Sequence, residues 1–128
     1  MDNQTVPQPA KLLVMSCSGA SNTGAYADMI ARRLDELKDA DMVCLPKIAI
    51  SDAKLIEKVK NSGGKLVVLD GCPLHCAKKI LNNAGITDFL HLSITDFGVK
   101  KGVTPVTQDK IDAIIAQIKA LVAGKLKA

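Results

Sequence analysis

The chain has 128 residues, is 48% hydrophobic, and carries 17 Lys and Arg against 13 Asp and Glu for a net charge of +4. This length and composition predict one domain with its own hydrophobic core and exclude a disordered chain. The positive charge does not indicate nucleic-acid binding, because the chain has one Tyr, two Phe and no Trp with which to stack bases. The charges are expected to form a solvated surface. No apolar run approaches the roughly 18 residues of a membrane-spanning helix, so no membrane partner is predicted.

The beginning of the chain predicts a leader, a strand and a helix. Residues 1–10 are polar, contain two prolines and lack the pattern of a signal peptide, so they are expected to be a flexible leader of a cytoplasmic protein. The apolar run at residues 11–16 predicts a strand. A loop of small residues at 17–24 then precedes a helix that is predicted to end near Lys38.

The middle of the chain predicts a strand, a helix and a second, more deeply buried strand. Residues 41–45 predict a short strand that Pro46 ends. Ser51 is a candidate cap for the helix that follows, and the glycine pair at 63–64 ends that helix. Residues 65–70 are apolar on both faces, as expected for a central parallel strand.

The remaining sequence predicts two helices around a last strand. Pro73 suits the first turn of a helix, and residues 89–94 predict the fourth strand. Thr107 is a candidate cap for the last helix, which Gly124 is predicted to end before a basic tail at residues 125–128.

Strands and helices thus alternate four times. This order predicts a three-layer, Rossmann-like α/β domain over residues 11–124, with a four-stranded parallel sheet and helices on both faces. The predicted strand order is 2-1-3-4, with 3-2-1-4 as the alternative.

All four cysteines follow predicted strands. Cys17 follows the first strand, Cys44 lies near the end of the second, and Cys72 and Cys76 follow the third. The carboxyl ends of parallel strands share one edge of the sheet, where such folds bind their ligands. The predicted strand order therefore gathers the four sulfur atoms at one crevice. For Cys44, the alternative is a small residue of the hydrophobic core.

Cys72 and Cys76 lie where the third strand becomes a helix. If Cys72 is the N-cap and Cys76 lies one turn further on, their side chains are neighbours on one helix face. Free backbone amides and the positive end of the helix dipole favour thiolates at this place. Because thiols stay reduced in the cytoplasm, metal binding or thiol chemistry is predicted rather than a structural disulfide.

Three other residues near this edge are candidates for supporting roles. Asp70 ends the third strand and could hydrogen-bond a ligand or orient a metal ligand, or it could simply begin a turn. His75 could serve as an alternative metal ligand or as the partner of a ligand, or it could have a solvent-facing or structural role. His91 is predicted to pack within the fourth strand.

The loop from Ser18 to Gly24 precedes a predicted helix N-terminus. Its amides, with Ser18 and Gly19 nearest to Cys17, could bind an anion or a small molecule. The hydroxyl groups of the loop could instead cap the helix.

Three motifs together resemble the DGC-domain family of zinc-binding proteins. They are the Cys-Ser-Gly at residues 17–19, the isolated Cys44, and the run DGCPLHC at 70–76, whose Asp-Gly-Cys gives the family its name. The resemblance spans about residues 12–97 and implies a zinc site. The ligands that it implies are Cys17, Cys44, Cys72 and Cys76.

Two other uses of the same cysteines stay open. Cys72 and Cys76 could cycle between dithiol and disulfide in a redox enzyme, or the four thiolates could hold an iron–sulfur cluster. Sulfur donors alone do not separate zinc from iron. The sequence offers no general base that would identify a reaction, so whether the protein is an enzyme stays open, and the favoured interpretation is zinc handling or sensing.

Overall fold

Four parallel strands form the centre of the domain. The computed structural model describes residues 11–71 and 74–125, which contain β1 (Leu13–Ser16), β2 (Asp41–Met42), β3 (Leu66–Asp70) and β4 (Leu90–Ser93). The spatial order is β2-β1-β3-β4, and each neighbouring pair is parallel. The strand order 2-1-3-4 predicted from the sequence is confirmed.

Helices cover both faces of this sheet. They are α1 (Asn22–Glu36), α2 (Leu45–Ala49), α3 (Ala53–Lys60), α4 (Cys76–Asn83) and α5 (Gln108–Lys125). The buried side chains of α1 and α5 pack on one face of the sheet with Val14 and Val67. Those of α2, α3 and α4 pack on the opposite face with Met15 and Val68. The predicted three-layer α/β architecture is therefore confirmed.

The two long helices on the first face have side-chain caps. Ser21 precedes α1 and accepts a hydrogen bond from the amide of Gly24, so the helix begins at Asn22 and not after Gly24 as predicted. The Thr107 hydroxyl accepts a hydrogen bond from the amide of Lys110, which confirms Thr107 as the cap of α5. That helix continues through the predicted stop at Gly124.

The second predicted strand is shorter than expected. Only Asp41 and Met42 belong to β2, and the chain then turns into α2 with Cys44 as its N-cap. The physical reason is Pro46, which has no amide to donate to a sheet but fits the first turn of a helix. Ser51 is not a cap, because its φ of 63° is left-handed; the N-cap of α3 is Asp52.

The helix after β3 begins later than predicted. Its first residue is Cys76 and its N-cap is His75, so the prediction that Cys72 is the N-cap is wrong. His75 adopts a left-handed conformation, with φ 55° and ψ 49°, which interrupts helical geometry before Cys76. Cys72 and Pro73 themselves lie outside the described residues.

The predictions for the ends of the chain are untested. The leader at residues 1–10 and residues 126–128 of the basic tail lie outside the part of the chain that the structure describes. Among the described helices, none has the length and hydrophobicity to cross a membrane.

Candidate functional site

Cys17 lies at the carboxyl edge of the sheet, directly after the central strand β1. Its amide donates to the Leu69 carbonyl at 2.9 Å, which continues the β1–β3 pairing one residue beyond β1. Its Sγ accepts a hydrogen bond from the Gly71 amide, also at 2.9 Å. Gly71 immediately precedes Cys72 in the sequence. The Cys17 sulfur is therefore fixed next to the start of the segment after β3, in whose sequence Cys72 and Cys76 lie.

Gly71 is required by a close approach of two backbones. A Cβ atom at this position would lie 2.7 Å from the Gly24 nitrogen and 2.7 Å from the carbonyl carbon and oxygen of Thr23. Cβ atoms do not approach backbone this closely, so only glycine allows the end of β3 to pack against the first turn of α1. The glycine of the Asp-Gly-Cys motif thus has a steric explanation, and the contact keeps the Cys17 loop against the β3 exit.

Asp70, the last residue of β3, organises the other side of this loop. It is 1% exposed. Its Oδ1 accepts from the Ala77 amide at 2.8 Å, and its Oδ2 accepts from the Lys78 amide at 3.1 Å. Its Oδ2 also lies 2.7 Å from Nε2 of His91. Because a carboxylate only accepts hydrogen bonds, the imidazole donates through Nε2. Asp70 is therefore a buried, three-fold hydrogen-bonded anchor, and the interpretation of it as a simple turn residue is wrong.

His75 is held over the same edge by β4. Its Nε2 lies 3.1 Å from the Ser93 hydroxyl, and its ring meets that of His91 edge-on, with centroids 4.7 Å apart and an interplanar angle of 75°. These contacts accompany the left-handed backbone of His75. The residue before Cys76 is thus held by β4, and these contacts give the partly exposed His75 a structural role.

Strand register explains why these side chains meet. Side chains two residues apart on a strand point to the same face of the sheet. Asp70 is paired with Ser93, and His91 lies two residues before Ser93, so all three share one face. That face also carries Val68, which packs in the cluster on the α4 side of the sheet. Asp70 and His91 are therefore diagonal neighbours across two parallel strands, a distance that long side chains span.

The histidine–aspartate network was not foreseen in the sequence. His91 was expected to pack in its strand, and it does lie in β4, but it also hydrogen-bonds Asp70. The available signal was the presence of an aspartate at the end of one predicted strand and a histidine inside the next. Using that signal requires the strand pairing, which local sequence does not fix.

Cys76 and Cys44 both begin helices and are both exposed. Cys76 is the first residue of α4, where the Asp70 carboxylate binds the next two amides. Cys44 is the N-cap of α2, and its side chain makes no capping hydrogen bond. Because Cys44 is exposed, its interpretation as a hydrophobic core residue is wrong.

The described residues alone do not form a complete metal site. Within residues 11–71 and 74–125, no three side chains of His, Cys, Asp or Glu form a group that could hold a metal ion. Cys72, a predicted ligand, is outside these residues. The four-cysteine site therefore stays a prediction.

The predicted anion loop has other uses for its polar groups. The Ser21 hydroxyl caps α1 and lies 3.0 Å from the Thr23 hydroxyl. The Asn22 amide group donates to the carbonyls of Lys100 and Thr104. These contacts favour helix capping for the second half of the loop. Binding of an anion or small molecule near Ser18 and Gly19, which are exposed, stays a prediction.

The fold and the site define a class of protein. It is a parallel α/β domain with cysteines after neighbouring strands. The Gly71 backbone packs against the first turn of α1 and donates a hydrogen bond to the Cys17 sulfur. The DGC domain family model matches residues 13–118, and the chain belongs to this family. It is 39% identical over 89 residues, which is 70% of this chain and 67% of the relative, to the anaerobic and virulence modulator AnvM of Pseudomonas aeruginosa. No solved structure matches the chain.

Proposed function

We propose that this protein binds one zinc ion through Cys17, Cys44, Cys72 and Cys76, and that it handles or senses zinc. The observation that carries this proposal is the hydrogen bond from the Gly71 amide to the Cys17 sulfur at 2.9 Å. It brings a sulfur from the β1 loop to the residue that precedes Cys72, although the two loops are far apart in sequence. Two cysteines of the family motif are thus supported as members of one site.

The chemistry of these residues fits zinc. Thiolate ligands suit Zn²⁺, and a four-cysteine set gives the closed tetrahedral arrangement of many zinc sites. A backbone amide that donates to sulfur offsets part of the negative charge that gathers when several thiolates approach one another. The amino-terminal end of α4 acts in the same direction on Cys76, its first residue. Bound zinc would offset two of the four negative charges that the thiolates bring to the edge of the sheet.

A handling or sensing role is favoured over a structural one by the size of the core. Buried side chains from β1, β3 and the helices on both faces form two hydrophobic clusters that contain no predicted metal ligand among their fully buried members. The domain therefore has a source of stability that is independent of metal. The relative AnvM is named as a modulator, which agrees with a regulatory role. The proposal requires reduced thiols, as the cytoplasm maintains them.

Elemental analysis of protein purified without added metal tests the proposal. We expect about one zinc per chain and a colourless sample. If the sample contained iron and were brown, the protein would hold an iron–sulfur cluster and the zinc proposal would be wrong. A metal-free protein in which Cys72 and Cys76 convert between dithiol and disulfide in a redox buffer would support the redox enzyme instead, and would refute zinc binding.

A further inference from the structure

We propose that His91 is a positioning residue of the cysteine site: by holding the Asp70 carboxylate, it fixes the start of α4 and hence the place of Cys76. This inference rests on the proposed function, because the purpose that it assigns to Cys76 is zinc binding. It adds a residue that lies outside the cysteine motifs, in the middle of β4.

Asp70 performs the capping that the N-cap residue of α4 does not. His75 occupies the N-cap position and makes no side-chain capping bond. The second and third helical residues are Ala77 and Lys78, whose amides are left without partners inside a helix. Both donate to Asp70, at 2.8 and 3.1 Å. The first turn of α4 is therefore anchored to the end of β3, and Cys76 lies in that turn.

His91 determines whether Asp70 can do this. The carboxylate is 1% exposed, so solvent cannot supply the donors that an ionised group needs. The shortest hydrogen bond of Asp70 is the one from His91, at 2.7 Å. Without it, Oδ2 would keep only the longer bond from Lys78, and a buried carboxylate short of a donor is costly. We expect the carboxylate to turn away from the helix and the first turn to loosen.

The His91 imidazole also supports His75, the residue that precedes Cys76. The His91 ring packs edge-on against His75, whose Nε2 is bonded to Ser93. His75 has a left-handed backbone, which a residue with a Cβ adopts only at a cost and which needs such contacts to persist. His91 thus acts on Cys76 from two directions, through the helix amides and through the preceding residue.

The test compares two amide substitutions of His91 that differ in reach. The side-chain nitrogen of His91→Gln extends about as far as Nε2 and can donate to Asp70. The nitrogen of His91→Asn is one methylene shorter and cannot. Tyr26→Phe is the control for general loss of stability, because it removes the hydroxyl that donates to the Pro105 carbonyl on the opposite face of the sheet. Zinc affinity is measured by competition with a chelator, and hydrogen exchange of the Ala77 and Lys78 amides is measured in metal-free protein.

We expect His91→Asn to weaken zinc binding by about 10- to 100-fold, as loss of a residue that orients a ligand does. Exchange at Ala77 and Lys78 should become about tenfold faster. His91→Gln keeps the donor to Asp70 but loses the ring that packs on His75, so it should lie between the wild type and His91→Asn in both measurements. Tyr26→Phe should lower the melting temperature and change neither the zinc affinity nor the exchange at Ala77 and Lys78.

Three results would overturn the proposal. The first is equal behaviour of His91→Asn and His91→Gln, and the second is a loss of zinc affinity in Tyr26→Phe as large as that in His91→Asn. The third applies if His91→Asn does not fold: exchange at Ala77 and Lys78 that is about tenfold faster or more in His91→Gln, which keeps the donor to Asp70, would then refute it. If the wild type binds no zinc, the proposed function fails, and the exchange rates at Ala77 and Lys78 decide the positioning role by themselves.

Discussion

Cys17 and Cys44 follow neighbouring strands of one sheet, yet the protein holds them differently. Cys17 is half-buried, its amide continues the β1–β3 pairing, and its sulfur accepts a hydrogen bond from Gly71. Cys44 is exposed and caps a helix of five residues without a side-chain bond. The difference arises because β1 has a partner strand on each side, whereas β2 is a two-residue strand at the margin.

The carboxyl edge of the sheet is held more firmly on the β1–β3–β4 side than on the β2 side. On the β1–β3–β4 side, backbone packing at Gly71 and the hydrogen bonds of Asp70 tie the loops to each other. On the β2 side, the last bond to the sheet is that from the Val43 amide to the Val14 carbonyl. We therefore expect substitutions on the first side to have large effects and those at Cys44 to have small ones.

The largest effect is expected from Gly71→Ala. The added methyl group would meet the backbone of Thr23 and Gly24 at 2.7 Å. Neither backbone can move without shifting α1, so we expect a loss of about 3 kcal/mol in the free energy of unfolding, as for severe overpacking. Chemical denaturation measures it.

Gly19→Ala is the matched control, because a Cβ at Gly19 would meet no atom within 4 Å. We expect it to change the free energy of unfolding by less than about 0.5 kcal/mol. Equal effects of the two substitutions would contradict the steric account of the Asp-Gly-Cys motif.

Removal of metal should have the next largest effect and should leave the fold intact. Because zinc would bind the folded form, its removal should cost about 2.7 kcal/mol when free zinc had been 100 times its Kd. Circular dichroism after chelation should keep the helical spectrum, with a lower Tm. A random-coil spectrum would show that metal is needed for folding and would contradict the handling role.

Asp70→Asn should destabilise the β3–β4 side by about 2 kcal/mol, since hydrogen bonds to a charged group are lost in a buried place. The side-chain NH2 group of the asparagine would face at least one of the three groups that now donate to the carboxylate, and two donors cannot form a hydrogen bond with each other. Asp112→Asn is the control on the surface of α5, where the exposed carboxylate accepts a hydrogen bond from the Gln108 side chain. A shift in the denaturation midpoint of Asp70→Asn no larger than that of the control would contradict the anchoring role of Asp70.

A smaller effect, the difference in alkylation rate between Cys44 and Cys17, compares the two sides of the sheet edge directly. In metal-free, reduced protein, we expect iodoacetamide to modify Cys44 faster than Cys17, because Cys44 is exposed and Cys17 is half-buried. Mass spectrometry of peptides at early times gives the two rates. Faster modification of Cys17 would mean that the β1 loop opens more readily than the β2 side.

The architecture and the strand order were predictable because they follow from patterns along the chain. Alternating strands and helices predict a parallel sheet, and β3 is apolar on both faces as a central strand requires. Thr107 was recognisable as a cap because capping is local. The need to gather the cysteines at one crevice favoured the order that the structure has.

The details of the site were not predictable because they depend on contacts between distant residues. Pro46 was interpreted as the end of a strand, but it lies in the first turn of α2. The late start of α4 depends on the left-handed His75, which Ser93 holds from β4. The bond between Asp70 and His91 depends on strand register, and no local pattern announces it.

The four-cysteine site is tested by the zinc content per chain of four single variants, each checked for folding: Cys17→Ser, Cys44→Ser, Cys72→Ser and Cys76→Ser. We expect Cys72→Ser and Cys76→Ser to lose the most zinc and Cys17→Ser also to lose it. Cys44→Ser should lose the least, because the β2 side holds its cysteine least firmly. Full zinc content in both Cys72→Ser and Cys76→Ser would mean that the metal is bound elsewhere and would refute the four-cysteine site.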